Sequence, residues 1–363
     1  MMTKSVYIHI PFCSNICAYC DFCKLFYTKK WIKPYLKSLE KEIISKYKGE
    51  VIETIYIGGG TPSSLDFSLL KRLLEITKIF SLEDNYEFTF EANPENLDNA
   101  KLKLLQEYGV NRLSIGIESS NKKYLKVLNR YHSFEDAKKI VKLAKENGFS
   151  NINVDFMYGF ADQTLEEVIE DLQNIISLDV PHISVYSLII EEHTKLYIDK
   201  YQKTDEDTEY LMYNKITELM NRSNYINYEF SNYAQKGYES RHNLVYWNNY
   251  EYYGFGLGAT AYLDNYRIEN THSLNKYLKE DYIKEKVYVD LEEKMENELI
   301  LGLRKIKGVN MKLFEEKYHK KIEEVFDIKE LLSNNMLLIN EDYLLINPKY
   351  LYLSNEILVQ FIK

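Results

Sequence analysis

Strand-length apolar runs alternate with longer amphipathic segments six times before about residue 224, and this rhythm constrains the chain more than any other feature. It is the pattern of βα units built around a parallel sheet. The strands are expected at Val6 to Ile10, Thr54 to Ile57, Glu87 to Glu91, Arg112 to Ile117, Asn153 to Met157 and Ile183 to Leu188. Several are nearly continuous in apolar character, as for strands covered on both faces. One intervening helix is legible in detail: Ser133 supplies an N-cap, Ala137, Ile140, Val141 and Ala144 share a face, and Gly148 ends it. Three of the six prolines, Pro11, Pro62 and Pro94, follow the first three strands closely and stop sheet pairing there. In parallel αβ barrels the loops at the carboxyl ends of the strands all open onto one face and build the site.

After about residue 225 the rhythm changes to short Tyr- and Asn-rich strands from Tyr228 to Arg267, then a charged stretch around Lys279 to Glu298. A last segment follows, with a helix containing Leu299, Ile300 and Leu303, apolar positions Phe314, Val325, Leu331 and Leu332, and a strand pair around Met336 to Ile346. The expected organisation is a barrel over residues 1–224, an α+β region over 225–290 and a winged-helix-like module over 291–363. With 363 residues, 45% hydrophobic and 28% charged, the chain has the composition of a globular protein. A net charge of -9, from 46 Lys plus Arg against 55 Asp plus Glu, supplies no global positive field for a nucleic-acid partner. The opening apolar run is too short for a secretory signal, and no stretch approaches the roughly 18 apolar residues of a membrane span. The cytoplasm is the expected location.

All four cysteines, Cys13, Cys17, Cys20 and Cys23, lie in one segment directly after the first strand. A disulfide framework would scatter its partners along the chain, so the clustering points to metal chemistry in a reducing compartment. Three soft ligands in Cys-x3-Cys-x2-Cys suit iron–sulfur or zinc, but a structural zinc site usually draws its ligands from two well-separated pairs. A four-iron cubane held by three thiolates keeps one iron open to an amino and a carboxylate group. Cys23 would close that corner if it were a ligand and make the cluster an electron carrier; its other reading is a small half-buried hydrophobe.

The segment Tyr7-Ile-His-Ile-Pro-Phe-Cys13-x3-Cys17-x2-Cys20-Asp-Phe resembles the opening of radical S-adenosylmethionine (SAM) enzymes. More specifically it resembles oxygen-independent coproporphyrinogen III oxidase-like proteins, the family of that dehydrogenase and of HemW-type heme chaperones, and the resemblance runs nearly end to end. It implies a partial parallel (βα)6 barrel, a [4Fe-4S] cluster on Cys13, Cys17 and Cys20, and SAM chelated by the open iron beside Tyr7 and Tyr19. Gly58-Gly59-Gly60-Thr61 follows the second strand. By itself it is a tight turn whose backbone can approach a ligand, with a hydroxyl from Thr61. In the family, Gly59, Gly60 and Thr61 border the methionyl part of SAM. Glu91 ends the third strand, where a carboxylate needs an amino group, ribose hydroxyls or a capped helix as partner. Glu118 ends the fourth strand in the same way, at a position where many relatives carry glutamine. Arg130 and Asp155 match family positions that contact SAM; on residue chemistry alone they could instead pair with each other.

Arg241-His242-Asn243-Leu244-Val245-Tyr246-Trp247 resembles the His-Asn-x-x-Tyr-Trp signature of heme chaperones. A neutral imidazole is a natural axial ligand for heme iron, and Tyr246 and Trp247 offer apolar faces to a porphyrin. On residue chemistry alone a single loop histidine is more often structural than a ligand. Tyr228 to Asn232 and Gly254 to Ala259 resemble chaperone segments too, although Ala259-Thr260 stands where a histidine often follows the glycines. Cys13 stands so near the terminus that no room is left for the dehydrogenase's long N-terminal arm, and the fourth cysteine is shifted by one residue. The resemblance therefore implies a heme chaperone that binds heme and passes it to acceptor proteins such as cytochromes, with reduced flavodoxin or ferredoxin as electron donor. The alternative is radical decarboxylation of coproporphyrinogen. An RNA-modifying enzyme lacks an oligonucleotide-binding module here, and a pure electron carrier would need Cys23 on the cluster.

Overall fold

Six strands, β1 (Ser5–Ile10), β2 (Val51–Gly59), β3 (Ser81–Ala92), β4 (Arg112–Glu118), β5 (Asn151–Tyr158) and β6 (His182–Ser187), pair side by side in chain order and all run parallel. The computed structural model describes residues 3–362; Met1 and Met2, ahead of the opening apolar run, and Lys363, the last residue of the third region, lie outside them. Helices α1 (Lys29–Lys46), α2 (Phe67–Thr77), α3 (Asn99–Glu107), α4 (Phe134–Glu146) and α5 (Leu165–Ile176) are the crossovers, and α6 (Glu206–Arg222) follows β6. This is the expected radical-SAM type of α/β fold, a six-unit parallel partial barrel.

The strands alternate rather than being apolar throughout. Ile55 and Ile57, Phe88 and Phe90, Leu113, Ile115 and Ile117, Ile152, Val154 and Phe156, and Ile183 and Val185 all join the core beneath the helices. The residues between them, Tyr56, Glu91, Arg112, Ser114, Gly116, Glu118, Asn153, Asp155 and Ser184, line a cavity on the other face. A two-residue side-chain period thus gives the sheet an apolar outside and a polar inside. The near-continuous runs of the sequence arise because the helix-facing members are all large, which masks the period.

Local signals behave as their chemistry requires. α4 starts at a capping box in which Ser133 accepts from Asp136 N and the Asp136 carboxylate accepts from Ser133 N; Ala137, Ile140, Val141 and Ala144 are its buried face. Pro62 and Pro94 each open a short 3-10 turn after β2 and β3.

The segment after residue 225 attaches to both edges of the main sheet. Asn232–Ala234 pairs antiparallel with β6, Ile226–Glu229 pairs with it in turn, and Tyr253–Phe255 pairs parallel with β1. Between them lies α7 (Arg241–Trp247), packed against β2. Thr260–Leu263, Tyr266–Asn270 and Ile283–Tyr288 form a separate antiparallel sheet. From Leu291 onward the chain builds a small domain of short helices on a three-stranded sheet, with its own core around Leu299, Leu303, Phe314, Leu331, Leu344 and Ile357. No helix among the described residues is long and apolar enough to cross a membrane.

Candidate functional site

A cavity of about 520 Å³ runs down the inside of the barrel, from Cys13, Cys17 and Cys20 at the carboxyl ends of the strands to Asn243 of α7. Its size is that of a small-molecule site. The cysteine loop forming the upper wall is pinned at several points. Leu25 N donates to Pro11 O (2.7 Å), Tyr27 N to Cys13 O (2.8 Å), Ala18 N to Leu128 O (2.9 Å) and Asn129 Nδ2 to Ile16 O (2.9 Å). All four cysteines are free thiols.

The Cys13 thiol is pushed up to about 11 by burial, against a hydrogen bond from Thr61. Burial likewise raises Cys17 and Cys20. As free thiols they are poor nucleophiles, so the chemistry that suits them is ligation, which takes the proton away. Among the described residues no three His, Cys, Asp or Glu side chains converge on a single-ion site. A cubane places its ligated irons at separate corners and needs thiolates spread over a wall, as these three are. Cys23 is not on that wall. It packs against the glycine-rich turn, where a Cβ at Gly258 would stand 2.6 Å from Cys23 Cβ, and its carbonyl meets His9 Nε2 at 2.7 Å. The residues present therefore fit a three-thiolate cubane.

Below the thiols lies a charged triad from three elements. Tyr19 OH donates to Glu118 Oε1 (2.9 Å), Arg130 Nη2 contacts both of them, and Arg130 Nη1 donates to Asn93 Oδ1 (2.7 Å). The Arg130 and Glu118 side chains are only 6% and 4% exposed. Arg130 thus pairs with Glu118, and Asp155 is held by Asn153 Nδ2 at 2.9 Å instead. Glu118 reaches this position through a local break in β4: its φ is 65°, and the register with β5 shifts between Gly116 and Glu118. Arg130 Nε is buried without a partner among the described residues, a donor left over for a bound polar group.

Glu91 accepts from Tyr56 OH (2.7 Å) and Gly59 N (2.9 Å). Burial raises its pKa; these two bonds oppose that, and Glu118 adds to it. Asp155 is also raised, by burial and then by Glu118 and Glu91. Two such acids regain their charge most readily beside a cation, which is what an ammonium or sulfonium ligand supplies.

The glycines serve packing as well as ligand access. Gly59 has φ 110°, and a Cβ there would stand 2.4 Å from the His9 ring; one on Gly60 would stand 2.7 Å from the Pro11 backbone. Tyr7 is not a cavity wall residue: its hydroxyl meets His9 Nδ1 at 2.9 Å. His9 is held neutral, lowered to about 4 by burial.

His242 lies apart from the other expected site residues, under the barrel floor. It is 1% exposed, with Nδ1 2.8 Å from Thr54 Oγ1 and Nε2 2.8 Å from Tyr246 OH, and its ring stands 5.2 Å from that of Tyr56. Glu87 receives the first N–H groups of α7, from Arg241 and His242, both at 3.0 Å.

Tyr56, Asn93, Arg112, Ser114, Asn153 and Ser184 were not singled out from the sequence, although all of them line the cavity. For four of the six the signal was available: Tyr56, Ser114, Asn153 and Ser184 each occupy an alternate strand position between two apolar residues.

Residues 7–175 match the model of the Radical SAM superfamily, and residues 289–352 match that of the HemN C-terminal domain. The heme chaperone HemW of Bacillus subtilis (strain 168) is 39% identical over 378 residues, covering 99% of both chains. That of Lactococcus lactis subsp. lactis (strain IL1403) is 38% identical over 371 residues, covering 99% of this chain and 97% of its own. The structure of coproporphyrinogen III oxidase (HemN) from Escherichia coli, described as a radical SAM enzyme, superposes with a TM-score of 0.88 at 20% identity, over 99% of this chain and 90% of that one, and so shares the fold. With a fitting thiolate set on a matching barrel and relatives 38–39% identical over 99% of its length, this chain belongs to the HemW family of the radical SAM superfamily.

Proposed function

We propose that this protein is a heme chaperone, binding heme and transferring it to acceptor proteins such as cytochromes. The observation carrying this reading is the end-to-end likeness to the two bacterial heme chaperones, taken with the His242-Asn243-x-x-Tyr246-Trp247 segment. The alternative, oxidative decarboxylation of coproporphyrinogen III, has behind it a 20%-identical solved structure and a match to the HemN C-terminal domain over residues 289–352, and the structural likeness speaks to fold.

Cys13, Cys17 and Cys20 would hold a [4Fe-4S] cluster, and Gly59, Gly60, Thr61, Glu91, Glu118, Arg130 and Asp155 would surround SAM, with Tyr19 above and Tyr7 behind. Bound there, the pair supplies a one-electron reduction of the sulfonium. The chain's own part is to hold cationic groups against Glu91 and Asp155, to fix Glu118 with Arg130, and to keep solvent from the buried triad. Reduced flavodoxin or ferredoxin is the proposed electron donor. The cytoplasm, which keeps thiols reduced, is the proposed location.

His242 as an axial ligand must free one of its two ring nitrogens, giving up either Thr54 or Tyr246, and in this reading heme binding moves α7 away from the barrel floor. Titration of the purified protein with heme, beside His242→Ala, tests this. The expected result is at least a tenfold loss of affinity and an altered Soret band in the variant; an unchanged spectrum removes His242 as ligand. Anaerobic conversion of coproporphyrinogen to protoporphyrinogen, given SAM and a reductant, would replace the chaperone reading by the enzymatic one.

A further inference from the structure

Arg112 opens β4 with its side chain turned into the barrel, on the cavity wall, and is 2% exposed. A guanidinium stays charged in any protein interior, so burial does not neutralise it; it calls for an anion. Among the described residues it forms no ion pair and no side-chain hydrogen bond, and its Nε is buried with no partner.

The nearby acids are already committed. Glu87 receives the two amides of α7, Glu91 receives Tyr56 and Gly59, and Asp155 receives Asn153. The polar groups around Arg112 are similarly occupied: Asn153 Nδ2 donates to Ser114 Oγ (2.8 Å), and its Oδ1 accepts from Ser184 (3.0 Å). Asn153, Ser114 and Ser184 are thus paired with one another, and among the described residues the Arg112 guanidinium is left on the cavity wall without an anion. The same charge is felt by His242, whose chain neighbour Asn243 closes the cavity floor.

We propose that Arg112 is the partner of a carboxylate on the bound ligand, a propionate of heme, taken as a guanidinium–carboxylate pair at the floor of the barrel. The inference rests on the heme-binding reading and adds its polar anchor: the imidazole for the iron and the cation for the propionate lie on the same side of the barrel. A propionate pairs with Arg112 through two parallel N–H···O bonds, a geometry that lysine cannot reproduce.

The test is equilibrium titration of the full-length protein with heme and with heme dimethyl ester, whose propionates carry no charge, in wild type and in Arg112→Met. Wild type is expected to prefer heme by tenfold or more, and Arg112→Met to bind both with the affinity wild type shows for the ester. Equal binding of heme and ester by wild type overturns the Arg112 anchor while leaving the chaperone reading intact. Binding of neither overturns both. A preference that survives in a folded Arg112→Met places the propionate elsewhere and also overturns the anchor. If Arg112→Met does not fold, the wild-type comparison decides alone, with Arg112→Lys expected to fall between the two ligands' wild-type affinities.

Discussion

Glu118 adopts a left-handed backbone at the end of β4, a conformation that costs a residue with a Cβ about 1–3 kcal/mol and persists only where its surroundings hold it. Here Tyr19 and Arg130 hold it, and the result is a carboxylate turned into the cavity at the edge of the thiolate wall. Cys23 shows the opposite case, a residue of ligand chemistry used for packing. After anaerobic reconstitution, Cys23→Ala should give the same SAM-dependent change in the EPR signal as wild type, and Cys17→Ala should lose the cluster signal; loss in both would make Cys23 a ligand. His242 carries a pH prediction. Burial, with the Arg112 charge adding to it, lowers its pKa from 6.5 to about 3. The unfolded chain therefore takes up this proton first as the pH falls, so the stability gained by keeping the ring neutral is complete above pH 6.5 and is lost on the way down to about 3. The difference in unfolding free energy between wild type and His242→Gln should shrink below pH 6.5 by up to about 1.4 kcal/mol per pH unit, measured by chemical denaturation at pH 7 and pH 5. A difference independent of pH would mean that the native ring titrates as it does in the unfolded chain.

Among the elements, the strands divide their two faces by chemistry, and α7 closes one end of the polar face. α7 is short, and isolated helices of that length do not persist in water, so its position depends on its anchors. Ser240 caps it at Asn243 N (3.3 Å), and Glu87 receives two further amides from the floor of β3. Removing that carboxylate leaves two N–H groups without partners, at about 1–3 kcal/mol each. Glu87→Ala should therefore raise amide hydrogen exchange across residues 241–247 by tenfold or more while β2 to β5 stay protected. Unchanged exchange there would show that apolar packing alone holds α7, and would weaken its role as a movable floor for heme.

Among the described residues the whole molecule has one large core shared by barrel and crossovers, a second within the C-terminal domain, and a small third that gathers Ala18, Tyr124, Phe160 and Leu188. The barrel and the C-terminal domain meet through main-chain bonds from Phe230 N to Arg304 O (3.2 Å) and Ile306 N to Tyr228 O (3.1 Å), with the Arg304 guanidinium 5.6 Å from both the Phe230 and Trp247 rings. Leu299 is fully buried in the second core. Leu299→Ala should destabilise that domain by about 2–5 kcal/mol. The cluster's response to SAM should be unaffected, because no thiol or cavity-lining residue belongs to that core; a changed EPR signal would mean that the C-terminal domain supports the barrel mouth.

The six strands, the capped α4 and the thiolate wall could all be read along the chain, because each depends on near neighbours: a side-chain period, a cap three residues from its amide, three cysteines within one loop. Pairings between distant strands could not. That Arg130 pairs with Glu118 and Asp155 with Asn153, that Glu87 caps a helix more than 150 residues later, that His242 lies under the barrel with both nitrogens occupied, and that Arg112 is left without an anion were decided only when the sheet curled and brought those strands face to face. Local order follows from spacing along the chain, whereas the partner of a buried charge depends on which distant strand closes over it.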